Sequence, residues 1–218
     1  MSPIKAVLFD FGQVLSLSAD PAVWQQMLTL SGLSEADLQR EYWAHRHNYD
    51  RDTLNSQTYW QAVAAGSQTT FTPEQIAALI TADVDLWSRL NRPMVEWAQH
   101  LQRAGIRTGI LSNIGDAMAE GLIAKFDWIS AFDHCVWSYA LKLAKPEAAI
   151  YRCAAEGLAT DPSQILFIDD KIENIEAAES IGMQAIQYHL DHPAFEEELR
   201  RRGFESLLLR QPKTAAVS

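Results

Sequence analysis

Three of the short apolar runs in the sequence end in side chains that can do chemistry. Asp10 follows the first run, Ser112 and Asn113 follow the second, and Asp169 and Asp170 follow the third. A carboxylate can act as a nucleophile or hold a metal ion, and hydroxyl and amide groups can bind the oxygens of a transferring group. In open parallel sheets, ligands bind beyond the carboxyl ends of the strands. We therefore expect these side chains to converge on one edge of a sheet.

The adjacent carboxylates of Asp169 and Asp170 predict a bound cation. Crowded carboxylates repel and raise each other's pKa unless a positive charge neutralises them. A hard divalent ion with oxygen ligands, most simply Mg²⁺, removes that conflict. Lys145 stands just before a helix start predicted at Pro146 and brings an ammonium group to the same edge. Each residue alone also suits an ordinary role as a cap, turn residue or surface charge, so it is the ordered set that indicates a site.

A parallel α/β sheet would position these residues. Successive apolar residues, typical of strands covered on both faces, predict strands at 4–9, 108–111, 134–137, 164–168 and 184–187. Helical spacing between the later strands predicts helices at 116–125, 146–157 and 174–182. Gly157 and Gly182 are expected as helix C-caps. The alternation predicts a doubly wound sheet with helices on both faces.

The first crossover contains no strand pattern and predicts a separate helical unit. Helical blocks are expected at 21–31, 34–48, 54–65 and 72–88, with Ser34 and Thr72 as N-caps. We therefore predict an all-helical cap over residues 16–92, inserted after strand 1. The α/β core would comprise residues 1–15 and 93–218.

The predicted cap is rich in aromatic residues. We expect most of them to form the core of the cap and a minority to line a pocket; they are Tyr42, Trp43, Tyr49, Tyr59, Trp60 and Trp87. His45, Arg46 and His47 are expected on a charged helix face exposed to water.

The charge balance and cysteine usage exclude several classes of partner. The 218 residues include 18 Lys and Arg against 28 Asp and Glu, for a formal net charge of −10. Nucleic acid needs clustered cations and is not expected as a partner, whereas a small anionic substrate needs only local ones. Residues 1–10 show neither a signal-peptide pattern nor an apolar run long enough to span a membrane, so we expect neither feature. Two cysteines without metal-ligand spacing suit reduced thiols, so we expect a cytoplasmic protein with no membrane partner. No pattern indicates an oligomeric state.

Four segments together resemble the motifs of the haloacid dehalogenase superfamily. They are FDFGQVL at 9–15, LSN at 111–113, KP at 145–146 followed by IY at 150–151, and FIDD at 167–170 with Asn174. The helical insertion lies where that superfamily has its small cap. Within the superfamily, the chain most resembles the bacterial α-glucose-1-phosphate phosphatase type and the phosphatase domain attached to soluble epoxide hydrolases.

The resemblance implies a Mg²⁺-dependent phosphomonoesterase that acts on a small phosphorylated metabolite, with sugar phosphates favoured. Asp10 would attack phosphorus to give an aspartyl-phosphate that water then hydrolyses. Asp10, Asp170 and the backbone carbonyl of Gly12 would bind Mg²⁺, and Asp169 would support the metal from beside it.

The same resemblance gives roles to the remaining polar residues. Ser112 and Asn113 would hydrogen-bond the phosphoryl oxygens. Lys145 would neutralise Asp10 and the charge that develops in the transition state, and Asn174 would hold the loop.

Position 12 departs from the pattern of most phosphatases of the superfamily. They carry a second Asp two residues after the nucleophile, which protonates the leaving group, and this chain has Gly12 there. The amide of Gln13 cannot donate a proton near neutral pH. Because general acid–base catalysis contributes about 10²–10⁴-fold, we expect a slow or substrate-selective enzyme unless a cap residue or the substrate supplies the proton.

Two alternatives stay open. The 2-haloacid dehalogenases of the superfamily also lack this acid, but they need no metal and lack the paired carboxylates that Asp169 and Asp170 provide here. The second alternative is a catalytically weak protein that holds a phosphorylated ligand, which Gly12 alone supports.

Overall fold

A five-stranded parallel sheet lies at the centre of the computed structural model, which describes residues 3–208. The strands are β1 (Ala6–Phe9), β2 (Arg107–Ser112), β3 (His134–Trp137), β4 (Ile165–Asp169) and β5 (Gln184–Gln187). Their order is β3-β2-β1-β4-β5, with β1 paired to both β2 and β4. Phe9 pairs with Ile168, so the residues that follow them, Asp10 and Asp169, lie side by side at the carboxyl edge.

Five helices lie between residues 21 and 86 of the crossover that follows β1. They are α1 (Pro21–Ser31), α2 (Glu35–Ala44), α3 (Arg46–Asp50), α4 (Ser56–Gly66) and α5 (Pro73–Leu86). Ser34 and Thr72 cap α2 and α5 through their side chains, as predicted. The division of the chain at residues 15/16 and 92/93 stays a prediction.

The helix expected over 34–48 is broken at His45 into α2 and α3. Contacts with the core hold α3. The ring of Tyr49 packs against Gly115. A Cβ on this glycine would lie only 2.1 Å from the ring, so a larger residue would not fit. The carbonyl of Asp50 accepts a hydrogen bond of 2.5 Å from the Ser138 hydroxyl. Such contacts link residues far apart in sequence, which is why helical periodicity did not reveal the break.

Helices cover both faces of the sheet. One face, with Val7 and Phe9, packs against α6 (Arg92–Arg103), α7 (Asp116–Lys125) and α11 (His192–Arg201). The other, with Ala6 and Leu8, packs against α9 (Ala148–Gly157) and α10 (Ile172–Ser180). A short helix, α8 (Ser138–Leu141), follows β3. The predicted doubly wound α/β fold is confirmed.

The two predicted glycine caps have different outcomes. Gly182 follows α10 with φ +94°, as a C-terminal glycine should. The prediction for Gly157 was wrong, because this residue is the last of α9, the C-cap is Leu158 and the left-handed conformation falls on Ala159, with φ 44°. A Cβ on Gly157 would lie 2.2 Å from the ring of His134. Close packing against β3 therefore requires this glycine. The same helix begins at Ala148, two residues after Pro146.

The cap aromatics divide into two groups, as expected. Tyr42, Tyr49, Tyr59 and Trp60 are at most 2% exposed, and the rings of Tyr49 and Tyr59 stack with centroids 4.6 Å apart. The indoles of Trp43 and Trp87 instead line a cavity that faces the sheet edge. Within residues 3–208, no helix has both the length and the apolar character that crossing a membrane requires.

Candidate active site

Three carboxyl groups meet at the carboxyl edge of the sheet. Asp10 follows β1, Asp169 ends β4, and Asp170 comes next along the chain. One oxygen from each carboxyl group lies within 4.8 Å of the others. The backbone N–H of Asp10 donates to the carbonyl of Ile168 at 2.9 Å, which ties the end of β1 to β4. The convergence predicted from the strand ends is present.

The ammonium of Lys145 lies among these carboxylates and is almost fully buried. Its Nζ is 2.9 Å from Asp10 Oδ1 and 2.6 Å from Asp169 Oδ2. Asn113 positions Lys145 through two hydrogen bonds, because its side-chain amide donates to the Lys145 carbonyl at 2.9 Å and accepts from the Lys145 N–H at 2.8 Å. The Asn113 side chain, expected to bind phosphoryl oxygens, is therefore occupied with the backbone of Lys145.

Burial and charge shift the pKa values in this cluster. Burial raises the pKa of Asp10 to about 7, since the opposing effect of Lys145 is partly offset by Asp169 and Asp170. Burial lowers the pKa of Lys145, but Asp10 and Asp169 outweigh burial and hold this pKa above its usual value. Burial, followed by the charge of Asp169, raises the pKa of Asp170. Three carboxyl groups surround one buried ammonium, that of Lys145, which leaves excess negative charge on oxygen donors. The donor set therefore fits a hard divalent cation.

The carboxyls of Asp169 and Asp170 differ in their surroundings. Asp169 Oδ1 accepts from Asn174 Nδ2 and from the Lys171 N–H, both at 2.9 Å, while its Oδ2 accepts from Lys145. Asp170 is half-buried and accepts at Oδ2 from Gln13 Nε2 at 2.7 Å. Both oxygens of Asp169 thus have protein partners, whereas Oδ1 of Asp170 has no side-chain or backbone partner among the described residues.

The loop after Asp10 does not require glycine at position 12. Gly12 has φ −64° and ψ 130°, which any residue adopts, and a Cβ there would meet nothing within 4 Å. The left-handed conformation lies at Gln13, with φ 57°. Gln13 holds that conformation with its side chain bonded to Asp170. Position 12 therefore has room for a larger side chain.

A cavity of about 360 Å³ joins the sheet edge to the cap. Core residues Asp10, Ser112, Asn113, Lys145 and Asp170 line it, so each of these predicted site residues reaches one space. Ser112 is 4% exposed, and no hydrogen bond to its hydroxyl is formed within residues 3–208. That hydroxyl is free to bind a ligand.

The cap places a charged cluster on this cavity that sequence reasoning missed. Arg46 was expected on an exposed face, but its side chain is only 11% exposed. Its Nε lies 3.1 Å from Asp50 Oδ1 and its Nη1 lies 3.2 Å from Asp83 Oδ2. The i, i+4 spacing of Arg46 and Asp50 was a usable signal for the first pair. Asp83, the partner on α5, had only a weak signal in the sequence, because it is a single acidic residue within an apolar helix.

A family model for haloacid dehalogenase-like hydrolases matches residues 4–182. The chain belongs to this family. It is thus a hydrolase, and the resemblance drawn from its four motifs is confirmed.

Curated relatives of this hydrolase include a phosphatase and a 2-haloacid dehalogenase, the two enzyme activities considered from the sequence. N-acetylmuramic acid 6-phosphate phosphatase of Pseudomonas aeruginosa is 27% identical over 201 residues, covering 87% of this chain and 84% of that protein. (S)-2-haloacid dehalogenase 1 of Pseudomonas sp. is 25% identical over 199 residues, covering 86% of this chain and 85% of that protein. The chain spans only 34% of drimenol cyclase drtB of Aspergillus calidoustus and 18% of bifunctional epoxide hydrolase 2 of Rattus norvegicus.

Solved structures support the fold. The magnesium complex of a HAD family enzyme from Bacteroides thetaiotaomicron superposes with a TM-score of 0.72 at 20% identity, covering 87% of this chain and 95% of that one. At this identity the likeness establishes the architecture alone.

Proposed function

We propose that this hydrolase is a Mg²⁺-dependent phosphomonoesterase that acts on a small phosphorylated metabolite, with Asp10 as the nucleophile. The observation that carries the proposal is the buried Asp10 beside Lys145, with the carboxyls of Asp169 and Asp170 in the same cluster. Asp10, Asp170 and the Gly12 carbonyl would hold the ion, and Asp169 would support it. Bound Mg²⁺ would supply positive charge that screens the substrate phosphate from these carboxylates.

The two oxygens of Asp10 have different surroundings. Oδ1 accepts from the Phe11 N–H at 2.7 Å and from Lys145. Oδ2 receives no hydrogen bond from the described residues, so we assign the attack on phosphorus to this oxygen. The P–O bond to the organic group then breaks and leaves an aspartyl-phosphate. Water attacks that phosphorus and releases inorganic phosphate and the Asp10 carboxylate.

The neighbouring residues would bind the phosphoryl group or hold those that do. The free hydroxyl of Ser112 would donate to a phosphoryl oxygen, and Lys145 would stabilise the charge on the transferring group. Asn113 is proposed as a positioning residue for Lys145, since its amide is bonded to the Lys145 backbone. Asn174 would fix Asp169 through its hydrogen bond.

The wall of the cavity supports a substrate with both a flat apolar surface and polar groups. Trp43, Trp87, Met118 and Leu122 provide apolar area next to the charged edge. Indole rings beside hydrogen-bonding groups suit a sugar ring. A relative named for N-acetylmuramic acid 6-phosphate agrees with a sugar phosphate.

The dehalogenase alternative has less support from the charges in the cavity. A 2-haloacid carries a carboxylate, which needs a free cation. Arg46 is bound by two carboxyl groups in the cap, and Lys145 is bound by two in the core. Lys171 also lines the cavity and forms no ion pair among the described residues, but it is exposed and its charge acts on the carboxyl of Asp170. An acidic cluster at the sheet edge would also repel a carboxylate substrate when no metal is bound.

A substrate screen tests the proposal. Phosphate release from sugar phosphates and p-nitrophenyl phosphate would be measured with Mg²⁺ and with a chelator, beside halide release from 2-chloropropionate. We expect Mg²⁺-dependent phosphate release that Asp10→Asn abolishes. Halide release that survives the chelator would establish the dehalogenase instead. Calorimetric binding of a phosphosugar without turnover would establish the binding protein.

A further inference from the structure

The cap contributes one carboxyl group to the cavity. Among the described residues that line it, the carboxyl side chains are Asp10, Asp170 and Asp50. The proposed chemistry uses Asp10 as the nucleophile and Asp170 as a metal ligand. Asp50, the last residue of α3, has no role in that scheme.

Charge balance in the buried cap cluster favours a proton on Asp50. Asp50 and Asp83 share a single guanidinium, that of Arg46, so two carboxylates would leave one negative charge without an ion-pair partner of its own among the described residues. Asp83 accepts from the Tyr42 hydroxyl at 2.7 Å as well as from Arg46. Asp50 accepts only at Oδ1, from Arg46. The proton is therefore best placed on Asp50 Oδ2, which has no hydrogen-bond partner among the described residues.

The pKa of Asp50 agrees with this placement. Burial raises this pKa, and Asp83 adds to the rise, while Arg46 and Lys171 oppose it. The charge of Asp50 also acts on Tyr59 of α4, whose pKa is raised mainly by burial.

Hydrogen bonds fix Asp50 next to the loop that would bind the phosphoryl group. The Ser138 hydroxyl donates to the Asp50 carbonyl at 2.5 Å and accepts from the Ile114 N–H at 2.8 Å. Ile114 follows Ser112 and Asn113 directly and lines the same cavity. Ser138 therefore ties the end of α3 to the proposed phosphoryl-binding residues.

We propose that Asp50 donates the proton to the leaving oxygen of the substrate and so supplies the acid that position 12 lacks. This inference rests on the proposed phosphatase function. In the first step the bond from Asp10 to phosphorus forms, the bond from phosphorus to the substrate oxygen breaks, and the Asp50 proton moves to that oxygen. In the second step, water attacks the aspartyl-phosphate and its proton returns to Asp50. Inorganic phosphate is released, and the side chains of Asp10 and Asp50 return to their starting forms.

Leaving-group dependence tests the role of Asp50. We would measure kcat/KM for a series of esters from p-nitrophenyl phosphate to alkyl phosphates. Asp50→Asn should lower kcat/KM by about 10²–10⁴-fold on alkyl phosphates and by only a few-fold on the aryl ester, whose phenolate leaves without a proton. Asp85→Asn, an exposed acid of the neighbouring α5, is the matched control and should leave both rates unchanged.

A double variant adds a rescue. Position 12 has room for a side chain, so Gly12→Asp combined with Asp50→Asn should raise the alkyl rate above that of Asp50→Asn alone. An equal loss on aryl and alkyl esters in Asp50→Asn would indicate a structural role and overturn the inference.

The wild type provides a readout that does not depend on the folding of any variant. With an acid in place, kcat/KM should depend only weakly on the pKa of the leaving alcohol. A steep dependence in the wild type would overturn the role of Asp50 and leave the phosphatase proposal intact. Absence of phosphate release from every ester would overturn the phosphatase proposal itself.

Discussion

At the scale of single residues, the surroundings of Asp169 and Asp170 separate their roles. The oxygens of Asp169 are bonded to Lys145, Asn174 and a backbone N–H, whereas Asp170 accepts only from Gln13. Asp170→Asn should therefore weaken Mg²⁺ binding more than Asp169→Asn, because a lost ligand charge costs more than lost support, which costs about 10–100-fold. Mg²⁺ titration by calorimetry measures both. Identical titrations for the wild type and Asp170→Asn would show that the metal lies elsewhere.

The same pair should differ in stability when no metal is bound. Asp169→Asn replaces one carboxylate oxygen, which accepts hydrogen bonds from buried donors, with an amide group that is itself a donor. This change should lower the free energy of unfolding by about 1–3 kcal/mol. Asp170→Asn should cost little, because it relieves repulsion between neighbouring carboxylates. Chemical denaturation in the presence of a chelator measures the difference.

Local sequence patterns predicted the positions of Asp10 and Asp169 but not those of Arg46 and Asp50. Asp10 and Asp169 follow apolar strands, so their positions at the sheet edge depend only on strand ends. Arg46 and Asp50 lie on the cavity because α3 packs against α4 and α8 and because Arg46 pairs with Asp83 of α5. That arrangement depends on contacts distant in sequence, and a charged helix segment viewed alone resembles a solvated surface.

At the scale of secondary structure, the position of α3 depends on Ser138. Ser138→Ala would leave the Ile114 N–H without its partner in a buried site, at a cost of about 1–3 kcal/mol. Ser130→Ala removes an exposed hydroxyl and should change stability by about 0.5 kcal/mol or less. Denaturant unfolding of the two variants provides the comparison. Equal stabilities would mean that Ser138 does not hold α3 in place.

The strands and most helices were predictable because apolar periodicity reports burial. The break at His45 and the role of Gly157 were not. Both involve a ring that lies close to a glycine of another element, Tyr49 at Gly115 and His134 at Gly157. Glycine at a helix end usually marks a cap, and only tertiary packing distinguishes that role from close contact.

At the scale of the whole molecule, the buried cap carboxyls make stability depend on pH. Burial raises the pKa of Asp50 and Asp83 in the folded state above the value of 3.8 for an unperturbed aspartate. These two groups therefore take up protons at a higher pH in the folded state than in the unfolded state, and their contribution to stability should rise as pH falls towards about 4. Asp50→Asn should reduce this rise, as measured by melting temperature in a chelating buffer. If the melting temperature of Asp50→Asn changed with pH as that of the wild type does, the assignment of a proton to Asp50 would be wrong.

The division of the proposed chemistry between core and cap has an evolutionary consequence. The nucleophile and the metal carboxylates are on the sheet edge, while the proton donor and part of the cavity wall, Trp43 and Trp87, belong to the crossover after β1. A single recombination event that replaced this crossover would change both the alcohol that is recognised and the means by which its oxygen departs. Substrate preference and the acidity of acceptable leaving groups would then be inherited together.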